Sequence, residues 1–498
     1  MADKTKDLKK KLFSRKKNGW DRISAAESRK IDAYCKRYMA FLDAGKTERL
    51  CAAEAIRLAE KEGFVPYERG MALKSGDKVY VCNRGKGVML AHLGSKPLEE
   101  GAQITAAHID SPRLDLKPNP LYEDNELAYF KTHYYGGIRK YQWPTIPLEL
   151  HGVVILADGT KRTVNIGGDA GDPKLVITDL LPHLGGEQNK KPLPEGISGE
   201  QLNLLLGSRP VGDEDAGQRV KLAVLQLLHE KYGITEDDFN SAELEAVPAV
   251  NACEIGLDRS LLGAYGHDDR VCAYAALQAL FDLKETPEHT AVCVLADKEE
   301  IGSDGVTGMQ SAAFDTFMED LCAAQDVPLR VCYEKSFCLS ADVTAAYDPN
   351  FADVFEKRNA ALACYEKSFC LSADVTAAYD PNFADVYEKR NSARVNYGMG
   401  LAKYTGSRGK GGASDADAET VGYVRRLFEA NDVIWQIAEL GKVDAGGGGT
   451  VAMYMANRNI TTIDAGVPVL SMHAPFEVVS KLDCYETYKA MKAVYEAK

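Results

Sequence analysis

Short apolar runs that end on His, Asp or Glu recur along this chain, and they constrain its fold more than any other feature. Ile104-Thr-Ala-Ala leads into His108 and Asp110, and Val292-Cys-Val-Leu-Ala leads into the pair Glu299-Glu300. Phe337-Cys-Leu leads into Ser340-Ala-Asp342, and Val467-Pro-Val-Leu-Ser-Met leads into His473. Such runs read as buried strands, and the ends of buried strands in a helix-covered sheet converge on a common cleft. Asp268, in Gly266-His-Asp-Asp-Arg270 before an Ala-rich helix, supplies a further carboxylate. Side chains of these types gathered in one place suit a two-metal hydrolase site.

The spacing between these runs predicts an α/β core. Helical spacing covers Ser24 to Lys61, strands are expected at Lys78 to Asn83 and Gly87 to Leu93, and Ile104 to His108 follows as a buried strand. Asp269 to Asp282 reads as a helix, Ala291 to Ala296 as a buried strand and Gln310 to Gln325 as another helix. Between about Leu114 and Pro248 the character changes: Pro, Gly and Tyr become frequent, and Asp158-Gly159 closes a hairpin. A chain of 498 residues exceeds the roughly 250 to 300 at which one core stops growing, so an insertion is expected. We therefore expect catalytic segments at 1–113 and 249–498, interrupted by a β-rich domain at 114–248.

Charge and composition exclude several partners. A net charge of −13, from 73 acidic and 60 basic residues, disfavours nucleic acid and anionic membrane surfaces. No uncharged apolar run of about 18 residues offers a membrane span. The Lys-rich first 17 residues lack the apolar stretch of a secretory signal and read as a solvated helical tail. The 12 cysteines stand singly in apolar surroundings without a C-x-x-C pair, as expected of reduced core residues in a cytoplasmic protein.

Residues 332–363 recur almost verbatim at 364–395, differing only at Phe355/Tyr387, Ala360/Ser392, Leu362/Arg394 and Ala363/Val395. One sheet position cannot hold both copies, and a single tandem copy is no solenoid. The repeat duplicates the Ser-Ala-Asp element, giving Asp342 and Asp374 as alternative carboxylates.

Taken singly, each site residue has a structural explanation. His108 could be an ordinary core histidine bonded to Asp110, Asp268 a helix cap, and Asp342 a turn residue. The carboxylate-rich loop around Glu299 and Glu300 resists that reading, since a structural loop rarely needs so many acids after a buried strand. Adjacent glutamates diverge, so one can bind metal while its neighbour acts as general base. The Asp110 carboxylate is expected to accept the second N–H of the His108 ring. The Gly446 to Gly449 run lacks the flanking residues of a phosphate loop and reads as a close-packed turn.

Across nearly its whole length the sequence resembles the M18 aminopeptidases, of the aspartyl aminopeptidase type. The resemblance rests on Ala107-His-Ile-Asp-Ser-Pro112, Tyr135-Gly-Gly137, Asp268 before its helix, Glu299-Glu-Ile-Gly302, Ser-Ala-Asp-Val with Pro-Asn, and Ser471-Met-His473. It implies that His108, Asp268 and the Ser-Ala-Asp carboxylate hold one zinc, and that Asp268, Glu300 and His473 hold a second. Asp268 would bridge the two, and Glu299 would be the base that takes a proton from the attacking water. Cobalt or manganese could occupy the same donors. It also implies that 114–248 is a dimerisation domain, and that dimers gather into a larger homo-oligomer, commonly a dodecamer. His183, in Leu181-Pro-His-Leu, resembles the histidine that completes a neighbouring subunit's site. Lys410, with Arg408 beside it, stands where the family places a basic substrate contact.

The repeat departs from the family, whose ordinary members have one copy. Copy two runs uninterrupted into Asn391-Ser-Ala-Arg-Val-Asn-Tyr397, whereas copy one breaks off at Ala361-Leu-Ala363, which favours Asp374 over Asp342. Thr344-Ala-Ala stands where acidic-substrate relatives carry Ala-His-Ala, which widens the expected substrate from acidic to acidic or neutral N-terminal residues. The expected activity is removal of single N-terminal residues from peptides. A related two-zinc carboxypeptidase or N-deacylase, and an inactive oligomeric homologue disrupted by the duplication, are the alternatives.

Overall fold

The fold is a helix-flanked α/β sheet carrying two further sheets, seen in a computed structural model that describes residues 17–212, 217–345, 392–404, 415–439 and 450–497, with Leu8, Leu12 and Phe13. The Lys-rich tail thus lies almost wholly outside the described residues, as does the Gly446 to Gly449 run.

The main sheet has nine strands among the described residues. Their order is Val65–Pro66, Lys78–Asn83, Gly87–His92, Thr290–Ala296, Ala102–His108, Phe337–Ala341, Thr461–Gly466, Met399–Ala402 and Trp435–Ile437. At its centre Ala102–His108 pairs in parallel with Thr290–Ala296 on one side and Phe337–Ala341 on the other. Phe337–Ala341 in turn pairs in parallel with Thr461–Gly466.

Four adjacent parallel strands therefore end on one edge, the place where an open α/β sheet forms its cleft. Alternation explains why these strands read as continuous apolar runs. Ala107, Cys293 and Leu339 face a core shared with the helices His267–Phe281 and Lys481–Tyr495, whereas Ile104, Ala106, Val292, Val294 and Cys338 face the opposite core.

The helical stretch from Ser24 to Lys61 is two helices, Ala25–Ala44 and Glu48–Lys61. The chain breaks at Gly45, and Thr47 opens the second helix by accepting a hydrogen bond from the Leu50 N–H.

A six-stranded antiparallel sheet draws all its strands from between Arg113 and Pro248. It includes the hairpin Leu148–Ile155/Lys161–Ile166 around Asp158-Gly159, and it has its own core around Phe130, Trp143, Leu150 and Leu244. Among the described residues a five-stranded sheet links Leu261–Ala264, just before Asp268, to Pro468–Leu470 and Glu477–Ser480, which flank His473. No helix among the described residues is long and apolar enough to cross a membrane.

Candidate metal centre

At the carboxyl edge of the central strands, Asp268 stands between two imidazoles. Its Oδ1 lies 3.2 Å from His108 Nε2, and its Oδ2 lies 3.2 Å from His473 Nε2. His108 is the last residue of Ala102–His108, and Ser111 just beyond it donates to the Asp268 carbonyl at 2.6 Å. Asp268 lies at the start of its helix with extended backbone, φ −78° and ψ 107°, which turns its carboxylate off the helix axis and into the cleft.

Asp342, one residue past Phe337–Ala341, brings its Oδ1 to 3.6 Å from His108 Nε2. Glu299 Oε2 is 3.9 Å from the same nitrogen, and Glu300 Oε2 is 3.6 Å from His473 Nε2. Two overlapping donor sets follow, His108 with Glu299 and Asp342, and His108 with Asp268 and Glu300. Glu299 is thus near enough to His108 to serve as a metal donor.

Asp110 does more than orient a histidine. The strand ends at His108, so the chain turns and brings the Asp110 carbonyl to 3.0 Å from the ring Nδ1, with the carboxylate Oδ1 at 3.4 Å. The expected carboxylate–imidazole bond is therefore corrected to a carbonyl–imidazole bond. The carboxylate instead accepts the Glu299 N–H at 3.1 Å, the Glu300 N–H at 3.2 Å and the Tyr135 hydroxyl at 2.7 Å. It anchors the single tight turn Glu299–Ile301, which Gly302 closes at φ +89°.

Glu477 plays the matching part on the other side and was not singled out from the sequence. One of its oxygens accepts the Asp268 N–H at 3.0 Å and the other the His473 N–H at 2.7 Å. Its only sequence cue is an acid four residues past His473 at the start of a strand.

The electrostatics call for a cation. Burial raises the carboxyls of Asp342, to about 6, and of Glu477, to about 8, and the Asp268 charge adds to both shifts. Burial also raises Glu300 well above the usual carboxylate range. Burial works against charge on His108, yet Asp342, Asp110 and Asp268 around it push the imidazole well above its ordinary value. His108 Nε2, both oxygens of Asp268 and of Asp342, and Glu300 Oε1 are buried without a hydrogen-bond partner. Uncompensated buried acceptors are costly, and a divalent cation among them removes that cost. Imidazole nitrogen with carboxylate oxygen is a donor set that suits zinc, so the residues present fit the metal.

Comparison with known proteins agrees with this chemistry. The sequence model of the family described as "Aminopeptidase I zinc metalloprotease (M18)" matches residues 41–365 and 357–495, two segments that overlap inside the repeat. A relative from Clostridium acetobutylicum, "Probable M18 family aminopeptidase 1", is 45% identical over 490 residues, covering 97% of this chain and 98% of the relative.

The chain belongs to the M18 family of aminopeptidases.

The crystal structure of the M18 aminopeptidase from Thermotoga maritima superposes with a TM-score of 0.87 at 42% identity, covering 98% of this chain and all of the other. A dodecamer of mApe1 from S. cerevisiae shares the fold at 19% identity, with a TM-score of 0.71 and coverage of 94% and 97%. This chain is thus a metallo-aminopeptidase of a family described as zinc metalloproteases.

Within the M18 chain, His108, Asp110, Asp268, Glu299, Glu300, Asp342 and His473 come together. Asp374 and Lys410, with Arg408, lie outside the described residues. His183 is exposed on a turn of the segment that carries the six-stranded sheet, outside the cluster around His108. The carboxylate at the described site is that of Asp342, although the sequence favours Asp374. The helix Leu329–Lys335 already contains the first residues of copy one, so the chain runs from it directly into the strand Phe337–Ala341.

Proposed function

We propose that this protein removes single N-terminal residues, acidic or neutral, from peptides, with two zinc ions per subunit and Glu299 as general base. In this reading His108, Asp268 and Asp342 hold one ion, while Asp268, Glu300 and His473 hold the other. The observation that carries it is the division of Asp268, with one carboxylate oxygen 3.2 Å from each imidazole.

When bound, the zinc ions would supply Lewis-acid polarisation of the scissile carbonyl and acidify a water. Glu299 takes the proton from the attacking water as its oxygen bonds to the carbonyl carbon. The same carboxyl then delivers that proton to the leaving nitrogen as the C–N bond breaks. Asp110 holds Glu299 for this task through the backbone N–H, and Glu477 keeps Asp268 and His473 in register with each other. Cobalt or manganese would use the same donors.

The assembly we propose is a homo-oligomer built from dimers through residues 114–248; mApe1, which shares the fold, forms a dodecamer. That segment leaves Leu181, Leu184, Leu193, Leu222 and Leu227 exposed, which favours burial against another subunit. His183 would then reach a neighbouring site, and Lys410 would contact substrate. Core thiols such as Cys35, Cys272, Cys293 and Cys338 suit a cytoplasmic protein.

The test is hydrolysis of an aminoacyl reporter with a free and with an acylated α-amine. An aminopeptidase cuts only the free form, whereas cutting of the acylated form supports the N-deacylase reading and rejects this one.

A further inference from the structure

One tripeptide from the six-stranded sheet touches three residues of the metal centre. Tyr135 ends the strand Leu127–Tyr135, and its hydroxyl donates to Asp110 Oδ2 at 2.7 Å. Gly136 follows at φ +73°, where a Cβ would come within 3.3 Å of Cβ and Oε2 of Glu300. The Gly137 carbonyl lies 3.0 Å from His473 Nδ1, and a Cβ on Gly137 would come within 3.2 Å of that nitrogen.

The tyrosine is itself held in place. Arg113 is its cross-strand partner and lays its guanidinium 3.8 Å from the ring centroid. Arg113 is nearly buried and is fixed by Glu48 at 3.4 Å, Glu245 at 3.3 Å and Asp115 at 2.8 Å. Glu48 opens the catalytic-side helix Glu48–Lys61, whereas Glu245 and Asp115 belong to the six-stranded sheet. The ring is therefore clamped at the junction between the two sheets' territories.

We propose that Tyr135, Gly136 and Gly137 form a positioning strap by which the inserted sheet sets the zinc-binding geometry of the centre. Tyr135 acts through Asp110 on the Glu299–Glu300 turn, and Gly137 acts through Nδ1 of His473. The inference rests on the zinc-aminopeptidase reading above.

The physical argument is one of unmet bonds. Asp110 is fully buried and accepts two backbone amides besides the tyrosine hydroxyl, so no bulk water replaces that hydroxyl when it is removed. A carboxylate freed on one side can rotate, and the turn hung from it moves with it. On the other flank, the Nδ1–H bond to the Gly137 carbonyl selects the tautomer whose Nε2 lone pair is turned towards Asp268 and Glu300, where a cation would be held. Neither Tyr135 nor Gly137 need meet the reacting atoms for this, so both are positioning residues.

The experiment compares Tyr135→Phe with the parent, each as the full chain. Zinc affinity is measured by competition with a chromogenic chelator, kcat and KM on an aminoacyl reporter at saturating zinc, and Tm by calorimetry. The expected result is a loss of about 10-fold or more in both zinc affinity and kcat, with KM and Tm little changed. Zinc affinity and kcat both within about twofold of the parent would overturn the strap. Should Tyr135→Phe fail to fold, Gly137→Ala carries the same test, because its backbone lies outside the left-handed region and the added Cβ, 3.2 Å from His473 Nδ1, presses that ring out of place. Weaker zinc binding in Gly137→Ala supports the strap, and parent-like binding overturns it. A parent that binds zinc but cuts no reporter would sink the aminopeptidase reading alone, since the zinc comparison still decides the strap.

Discussion

The Asp342 carboxylate stands 3.6 Å from Nε2 of His108, although an identical Ser-Ala-Asp sequence 32 residues later offers Asp374 for the same place. The local sequence of the two copies cannot choose between them, because residues 332–354 and 364–386 are the same. Copy one begins inside the helix Leu329–Lys335, with Cys332 and Tyr333 buried, and the chain passes from that helix into the strand Phe337–Ala341 that ends beside Asp342. Asp342→Ala should therefore lower the zinc content by at least one ion per chain and cut turnover by about 100-fold or more. Asp374→Ala should leave both near the parent's values. Metal analysis of the two purified variants checks this, and the reverse pattern would assign the site to copy two.

Glu299 and Glu300 are neighbours with different expected tasks. Glu299→Ala should keep the parent's zinc and lose about 100- to 10,000-fold in kcat, the range removal of a general base produces. Glu300→Ala should lose zinc as well as activity. Elemental analysis alongside single-turnover rates separates the two, and loss of zinc from Glu299→Ala would make Glu299 a ligand, as its 3.9 Å approach to His108 also permits.

Acid stability should reflect the contact of the inserted sheet with the helix Glu48–Lys61 and with the turn before the strand Gly87–His92. Burial alone would raise the Glu243 carboxyl, but hydrogen bonds from Lys86 and Arg49 outweigh it and bring the group down to about 2. A carboxyl with a depressed folded-state pKa contributes stability above its unfolded value of about 4.3, and that contribution fades as pH falls towards the folded value. Glu243→Gln should thus narrow its Tm gap to the parent as pH falls from about 4.5 towards 2. A gap that stays constant or widens over that window would count against the linkage. Because Glu243 is part-exposed, the effect should be modest and should weaken with salt.

Much of the sheet is legible in the sequence because its central strands are buried on both faces. Ala102–His108 and Thr290–Ala296 are buried throughout and carry no acidic or basic side chain until they reach the cleft, so their ends and their functional residues coincide. The break at Gly45 is hidden, since helical spacing continues through it and only the Thr47 cap marks the restart. Glu477 escapes notice for a different reason: it works by accepting backbone amides from Asp268 and His473, and no spacing rule links residues 268 and 477. Tyr135 belongs to a recognisable Tyr-Gly-Gly motif, yet its role depends on strand pairing with Arg113 and on the distant turn Glu299–Ile301.

The most direct test of the account is the zinc stoichiometry of the parent and of Asp268→Asn, measured on the purified full chain by elemental analysis. A carboxylate shared by both ions predicts two zinc per chain in the parent and, in the variant, loss of tight binding at both positions together with loss of turnover. A variant that still holds two zinc ions, or a parent that never takes up more than one, would contradict the shared-carboxylate centre.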